Sequence, residues 1–235
     1  MSTRAFAPPE EATTAPLPGC RLAIFDLDRT LLPGSSLMLL GRALHRAGCI
    51  KRGALFRYVA QETVFVRRGD SEPTAQRRLA ALLAEVAGRD ARPLLDVVDE
   101  LEGDLRAAAR PAAAWLLDRH AAAGDFCVIV SASPQELVDV AVRALGAHRG
   151  VGTRIEIVDG RFTGRLVGAF CHGRGKLARL WSDLGPAELG EASAYSDSAS
   201  DLPLLTAAGR PVAVNPDRRL RRAAEDAGWP ILRLA

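Results

Sequence analysis

The segment Leu22-Ala23-Ile24-Phe25-Asp26-Leu27-Asp28-Arg29-Thr30-Leu31 opens with four apolar residues and then turns abruptly acidic. An apolar run of that length reads as a strand buried on both faces, as in the middle of a parallel sheet. Asp26 and Asp28 then stand at its C-terminal end. In open α/β sheets that edge is where ligand sites gather. The first strand therefore predicts a fold and points to a site.

Working outward, Phe126-Cys127-Val128-Ile129-Val130 is a second strand of the same kind, followed by Ser131-Ala132-Ser133-Pro134-Gln135-Glu136. Here Ser133 is expected as a helix N-cap, Pro134 at the first helical position and Glu136 as the far side of a capping box. Further strands are expected at Ala192–Tyr195, Pro211–Val214 and Ile231–Leu234, and a hairpin turns at Asp159-Gly160 between Arg154–Val158 and Phe162–Phe170. Helices are expected over Pro111–Ala123, Lys176–Asp183, Asp201–Ala208 and Pro216–Ala227. Strands alternating with helices predict an α/β fold, a Rossmann-like, mostly parallel sheet with helices on both faces.

The alternation is interrupted once. Between Ser36 and Arg110 the pattern is helical, with amphipathic periods over Leu37–Ala47, Ala54–Val66, Thr74–Ala87 and Arg92–Ala109. The expected organisation is an N-terminal tail over 1–18, a core from 19–35 and 111–235, and a small helical cap over 36–110. The tail carries Pro8, Pro9, Pro16 and Pro18 with no apolar h-region. It reads as disordered and not as a signal peptide.

Of the 235 residues, 48% are hydrophobic and 25% charged, the range of soluble globular chains. A net charge of +3 does not call for nucleic acid or an acidic membrane. Basic residues do outnumber acidic ones locally, nine to three between Ser35 and Ala80, which favours an anionic ligand near the helical block. Cys20, Cys49, Cys127 and Cys171 form no C-x-x-C pair or zinc spacing. A reduced, cytoplasmic protein without a membrane span is expected. Cys20, Cys49, Cys127, Trp115, Trp181 and Trp229 adjoin apolar patterns and are expected in the core. His45, His120, His148 and His172 show no pairing with the strand-end acids.

The strand ends assemble a specific chemistry. Asp26 and Asp28 end one strand, Ser131 the next, and Asp197 a later one with Asp201 four residues on; Lys176 opens a helix between them. Crowded carboxylates need a cation, and Mg²⁺ takes few carboxylates and keeps its waters. A Ser hydroxyl and a Lys ammonium suit phosphate oxygens. One Asp can attack phosphorus, and a second can move the proton of the leaving alcohol.

Asp26-Leu27-Asp28-Arg29-Thr30-Leu31, Ser131, Lys176 and Asp197-Ser198-Ala199-Ser200-Asp201 resemble, in order and spacing, the four motifs of the haloacid dehalogenase superfamily. The resemblance runs from Arg21 to the C-terminus, and the helical insert resembles the type-one cap of its phosphoserine-phosphatase-like branch. It implies a Mg²⁺-dependent phosphatase acting on a small phosphomonoester. Asp26 is then the nucleophile and a metal ligand. Asp28 is the general acid/base and lends its backbone carbonyl to the metal. Ser131 and Lys176 hold the phosphoryl group, and Asp197 binds the metal. Thr30, Ser200 and Asp201 support these groups. Substrate contacts are expected from Ser35, Ser36, Arg57, Ala132 and Ser133, with Arg42, Arg67 and Arg68 as further candidates.

The chain departs from that branch at several positions. Ser35 stands where phosphoserine phosphatases usually carry a Glu for the substrate ammonium. Ser131-Ala132-Ser133 replaces Ser-Gly-Gly, Ser200 replaces Asn, and Arg29 replaces a frequent Gly. Phosphoserine is therefore not the expected substrate. A phosphotransferase or phosphomutase would use the same intermediate. A non-enzymatic phospho-aspartate receiver is the third reading, and the D-x-D pair and the helical insert argue against it.

Overall fold

The computed structural model describes residues 20–50, 53 and 72–234. Six parallel strands form one sheet in the order β3-β2-β1-β6-β7-β8. They are β1 (Leu22–Asp26), β2 (Phe126–Pro134), β3 (Arg149–Thr153), β6 (Ser193–Ser196), β7 (Arg210–Val214) and β8 (Ile231–Leu232). β1 lies in the middle, pairing Leu22 with Phe126 on one side and Phe25 with Tyr195 on the other. All five of its residues are buried, as its apolar run requires.

The period of two along the strands divides the core. Ala23, Phe25, Cys127 and Ile129 face one apolar cluster, while Leu22, Ile24, Phe126, Val128 and Val130 face the other. The first face is covered by α5 (Pro111–Ala122), α6 (Gln135–Leu145) and the helical block. Among the described residues that block comprises α1 (Ser36–Arg46), α2 (Glu72–Val86), α3 (Arg92–Asp99) and α4 (Glu102–Ala108), of which α1, α3 and α4 reach this cluster while Val86 of α2 packs with Ala91 and Phe162. The second face is covered by α7 (Arg174–Leu184), α8 (Leu202–Ala207) and α9 (Arg218–Ala227). Val97, Val98, Leu101 and Leu105 of the block share one cluster with Leu137, Val138 and Ala141 of α6, so α3 and α4 are fastened to the core through apolar side chains. A separate hairpin, β4 (Ile155–Val158) and β5 (Arg161–Leu166), turns through Asp159 and Gly160 at φ 49° and 74°. It docks on the block through Gly88 N–H to Phe162 O (2.7 Å) and Ala91 N–H to Gly160 O (2.8 Å).

Several expectations change. The single helix expected over Arg92–Ala109 is two, separated at Glu100 and Leu101, where Leu101 N–H bonds Val98 O in a tightened turn and Leu101 is carried into the core. The expected helix Ala54–Val66 lies outside the described residues. Strand β3 was hidden by its composition, Arg-Gly-Val-Gly-Thr. The glycines are there because α6 lies against this strand. A Cβ on Gly152 would stand 2.8 Å from Gln135 Cα, and one on Gly150 2.9 Å from Val138 Cγ1. Gln135 also closes this edge of the sheet, accepting from Gly152 N–H (2.7 Å) and donating to Gly150 O (3.1 Å). Trp115 and Trp181 are surface residues, 58% and 43% exposed. Trp115 is covered by the Arg119 guanidinium, 4.9 Å from its ring. Cys20 and Cys49 are only half-buried, whereas Cys127 and Cys171 are buried. Among the described residues no helix is long and apolar enough to cross a membrane.

Candidate active site

The acids expected at the strand ends converge around one lysine. β1 ends at Asp26, and the chain then makes a tight turn over Leu27–Leu31 in which Arg29 takes a left-handed conformation, φ 64° and ψ −8°. Arg29 N–H reaches Gly34 O (3.1 Å) and Leu32 N–H reaches Leu27 O (3.0 Å), which closes the loop. Asp26 is thereby left with one carboxylate oxygen toward Thr30 Oγ1 (3.1 Å) and the other toward Lys176 Nζ (2.5 Å). Lys176, from the first turn of α7, also donates to Asp201 Oδ2 (2.7 Å), and Ser196 Oγ donates to the same oxygen (2.7 Å). All three ionised side chains are buried. Asp201 occupies the N-cap position of α8 but makes no capping bond; its carboxylate serves Lys176 instead.

Asp28 is half-buried, and its Oδ1 accepts the Ser36 N–H that opens α1 (2.6 Å). Ser36 is fully buried, with its hydroxyl 2.8 Å from that of Ser133, so the loops after β1 and within the end of β2 are joined. Ser133 therefore does not cap α6. β2 continues to Pro134, the N-cap position has no side-chain bond, and Ser133 N–H donates to Ser131 Oγ (3.2 Å). Ser131 is buried. The Ala132 carbonyl accepts from Thr153 Oγ1 (2.8 Å). Ser35 is half-buried, and Arg42 is exposed on the outer side of α1. Arg57, Arg67 and Arg68 lie outside the described residues. Ser200 turns its hydroxyl to Ser198 Oγ (3.0 Å), not to the acids.

Two contributors escaped the sequence. Arg29 Nε donates to Asp197 Oδ2 at 2.7 Å, across the gap between the loops after β1 and β6. Asp217 braces the turn that carries Asp201. It accepts from Ala199 N–H (2.9 Å) and Leu220 N–H (2.8 Å), and its own N–H donates to Asp197 O (2.8 Å). Its position just before the Arg218–Ala227 helix marks an N-cap, the one signal that pointed to it.

Four carboxylates thus share two cations, Lys176 and Arg29. Burial raises Asp26 to about 6; Lys176 opposes this, and Asp201 and Asp28 add to it. Burial raises Asp197 to about 7, with Asp26 adding and Arg29 opposing. The ion pair thus leaves its two partners shifted in the same upward direction. Burial works against the Lys176 charge, yet Asp201 and Asp26 outweigh it and hold the ammonium above its ordinary range. Lysine carries its proton throughout, and the strain of the site is concentrated on Asp26 and Asp197.

Asp197 Oδ1 is buried without a hydrogen-bond partner. An orphaned carboxylate oxygen beside a second crowded carboxylate calls for a cation. Among the described residues no three His, Cys, Asp or Glu side chains gather into a ready metal cage. Mg²⁺ does not need one, since one or two carboxylates plus waters suffice. Asp26, Asp197 and the Asp28 carbonyl fit that donor set.

The family model for haloacid dehalogenase-like hydrolases matches residues 23–206, and the chain belongs to that family. Within it, the chain falls in the phosphoserine-phosphatase-like branch. It is 39% identical over 215 residues to the "Inhibition of morphological differentiation protein" of Streptomyces azureus, covering 89% of this chain and 77% of that one. It is 37% identical over 234 residues to the phosphoserine phosphatase SerB1 of Mycobacterium tuberculosis, covering 95% and 72%. A crystal structure of a protein of unknown function from Bordetella pertussis superposes with a TM-score of 0.78 at 33% identity, over 91% of this chain and 98% of that one.

Proposed function

We propose that this haloacid dehalogenase-type phosphomonoesterase hydrolyses a small phosphomonoester through a phospho-aspartate on Asp26, with Mg²⁺ as cofactor. The observation that carries the reading is the buried Asp26–Lys176–Asp201 chain at the C-terminal edge of the sheet, with Asp28 beside it. A carboxylate held by one ammonium and one hydroxyl keeps a fixed orientation and stays reactive.

In the first step an Asp26 oxygen bonds to phosphorus as the ester P–O bond breaks. Asp28, as the acid, gives its proton to the leaving alcohol. In the second, Asp28 takes a proton from water as the water oxygen attacks phosphorus, which releases phosphate and restores Asp26. Ser131 and Lys176 hold the transferring oxygens, and Asp201 and Ser196 keep Lys176 in place. Mg²⁺, held by Asp26, Asp197 and the Asp28 carbonyl, supplies charge neutralisation when bound. Residues 36–110 act as a cap over the core formed by 19–35 and 111–235. The described part of that block holds helices, and it joins the core through Ser36 at one end and α3 and α4 at the other.

The relatives include two named phosphoserine phosphatases. Ser35 lacks the carboxylate that would pair a substrate ammonium nine residues after the nucleophile, so we place phosphoserine behind other small phosphomonoesters. The test is phosphate release from a panel of such esters with Mg²⁺, run beside Asp26→Asn and an EDTA control. One ester cleaved well, and lost in both controls, establishes class, metal and nucleophile together. Phosphoryl transfer to an added alcohol without phosphate release shows a transferase instead. Hydrolysis that survives Asp26→Asn overturns the nucleophile.

A further inference from the structure

Arg29 is the feature of this site that the family pattern does not explain. It stands where the motif frequently has Gly, and it adopts φ 64°, a conformation that favours Gly over any residue with a Cβ. An Arg kept at such a position needs a compensating interaction. Its side chain supplies one. Nε meets Asp197 Oδ2 at 2.7 Å, with the Arg29 side chain 23% and the Asp197 side chain 7% exposed. The contact joins loops 168 positions apart in sequence. Only one of the two carboxylate oxygens is used. The other, Oδ1, is buried and has no partner.

We infer that Arg29 is a positioning residue for the metal site, holding one oxygen of Asp197 so that the other is presented to Mg²⁺. The inference rests on the reading of Asp197 as a metal ligand given above. A carboxylate at a loop start rotates about two side-chain bonds. A charge-assisted bond to one oxygen removes that freedom and fixes which oxygen faces the cation. A centre with Gly at this position has no such brace from the loop after β1. The guanidinium also brings a positive charge close to the cation. Direct repulsion alone would therefore weaken metal binding, whereas a positioning role strengthens it. The sign of the effect separates the two.

The experiment is Mg²⁺ binding by isothermal titration calorimetry to the wild type, Arg29→Gly, Arg29→Lys and Asp197→Asn. Arg29→Gly relieves the left-handed strain but leaves Asp197 without its cation, so thermal unfolding is measured beside the titration to show that the variant is folded. We expect Arg29→Gly to raise the Mg²⁺ dissociation constant about tenfold, the lower end for loss of a group that orients a metal ligand. Arg29→Lys should recover part of that loss. The Mg²⁺ concentration for half-maximal turnover should rise in step with the dissociation constant, a shift that general loosening of the fold does not produce. Unchanged or tighter binding in Arg29→Gly, with Asp197→Asn still weakened, overturns the positioning role and leaves the metal site standing. An Asp197→Asn protein that binds Mg²⁺ like the wild type overturns the metal reading, and this inference with it.

Discussion

Two polar clusters sit toward opposite ends of the same strands, and they are built on opposite principles. Toward the strand starts, His120 Nδ1 lies 2.7 Å from Asp125 Oδ2, His120 Nε2 lies 2.7 Å from the Tyr195 hydroxyl, and Arg21 donates to Asp125 Oδ1 at 3.0 Å. Asp125 only accepts, so Nδ1 carries a proton toward it. Each named group has its partner, and Phe25 stacks on Tyr195 with ring centroids 4.8 Å apart. At the strand ends four carboxylates share two cations, and Asp197 Oδ1 and Asp201 Oδ1 are buried with no bond. A satisfied network holds a fold together. An unsatisfied one is tolerated where something else must bind. The comparison predicts that changes in the first cluster cost stability and leave chemistry alone, and that changes in the second do the reverse or cost both.

The largest effect is expected at Asp26. Asp26→Asn removes the proposed nucleophile and one of the crowded charges. Turnover should fall by at least about 10⁴-fold, as when a nucleophile is deleted elsewhere, while thermal unfolding shows no loss of stability. Steady-state kinetics and calorimetry on the same preparation check this; retained turnover breaks the assignment of the site.

Lys176 is next, and it should cost both. Lys176→Met strands Asp26 and Asp201 as buried carboxylates. Breaking a buried pair by removing one partner costs about 3–5 kcal/mol, and in the proposed mechanism the phosphoryl group loses its ammonium as well. Denaturant unfolding should show a large stability loss, mitigated at low pH where the two acids take up protons. A stability loss that does not shrink at low pH contradicts the account of this chain.

The raised carboxylates give the comparison a pH dependence. Asp26 and Asp197 bind protons more tightly folded than unfolded, with values of about 6 and about 7 against an ordinary 3.8. Their effect on stability is favourable at low pH and is lost as pH rises from about 4 to about 7. Lys176 stays protonated across that window. In EDTA, Asp197→Asn should therefore gain on the wild type as pH rises, by on the order of a few kcal/mol, and Mg²⁺ should close the gap by binding the wild type. Parallel stability curves for the two proteins refute this.

The sequence made one end of the molecule far more legible than the other. That Asp26, Asp28, Lys176, Asp197 and Asp201 lie together could be expected because each follows an apolar strand or opens a helix, and strand ends have one place to go in a parallel sheet. Arg29 was visible as a departure from the motif, but its partner lies 168 positions away and no local pattern encodes that pairing. β3 was missed because close packing of α6 put glycines where β-branched residues would have signalled a strand. Ser133 matched a capping box, yet its hydroxyl found Ser36 instead, a tertiary contact overriding a local one. His120 and Asp125 are five residues apart, but their link depends on how α5 lies on the sheet.

The smallest effect tests the satisfied cluster itself. Tyr195→Phe removes a single hydroxyl and keeps the ring stacked on Phe25. His120 Nε2 then loses its partner while Nδ1 keeps Asp125. A typical hydrogen bond contributes about 0.5–1.5 kcal/mol, so denaturant unfolding should show a loss of that size. The imidazole is only partly exposed, and losing the hydroxyl beside it leaves one nitrogen poorly solvated, which favours the upper half of that range. Turnover and the Mg²⁺ requirement should be unchanged, because neither atom reaches the strand ends. A change in Mg²⁺ affinity would mean that the two clusters are coupled through β6, whose Tyr195 precedes Ser196 and Asp197 directly, and that the sheet transmits strain between them.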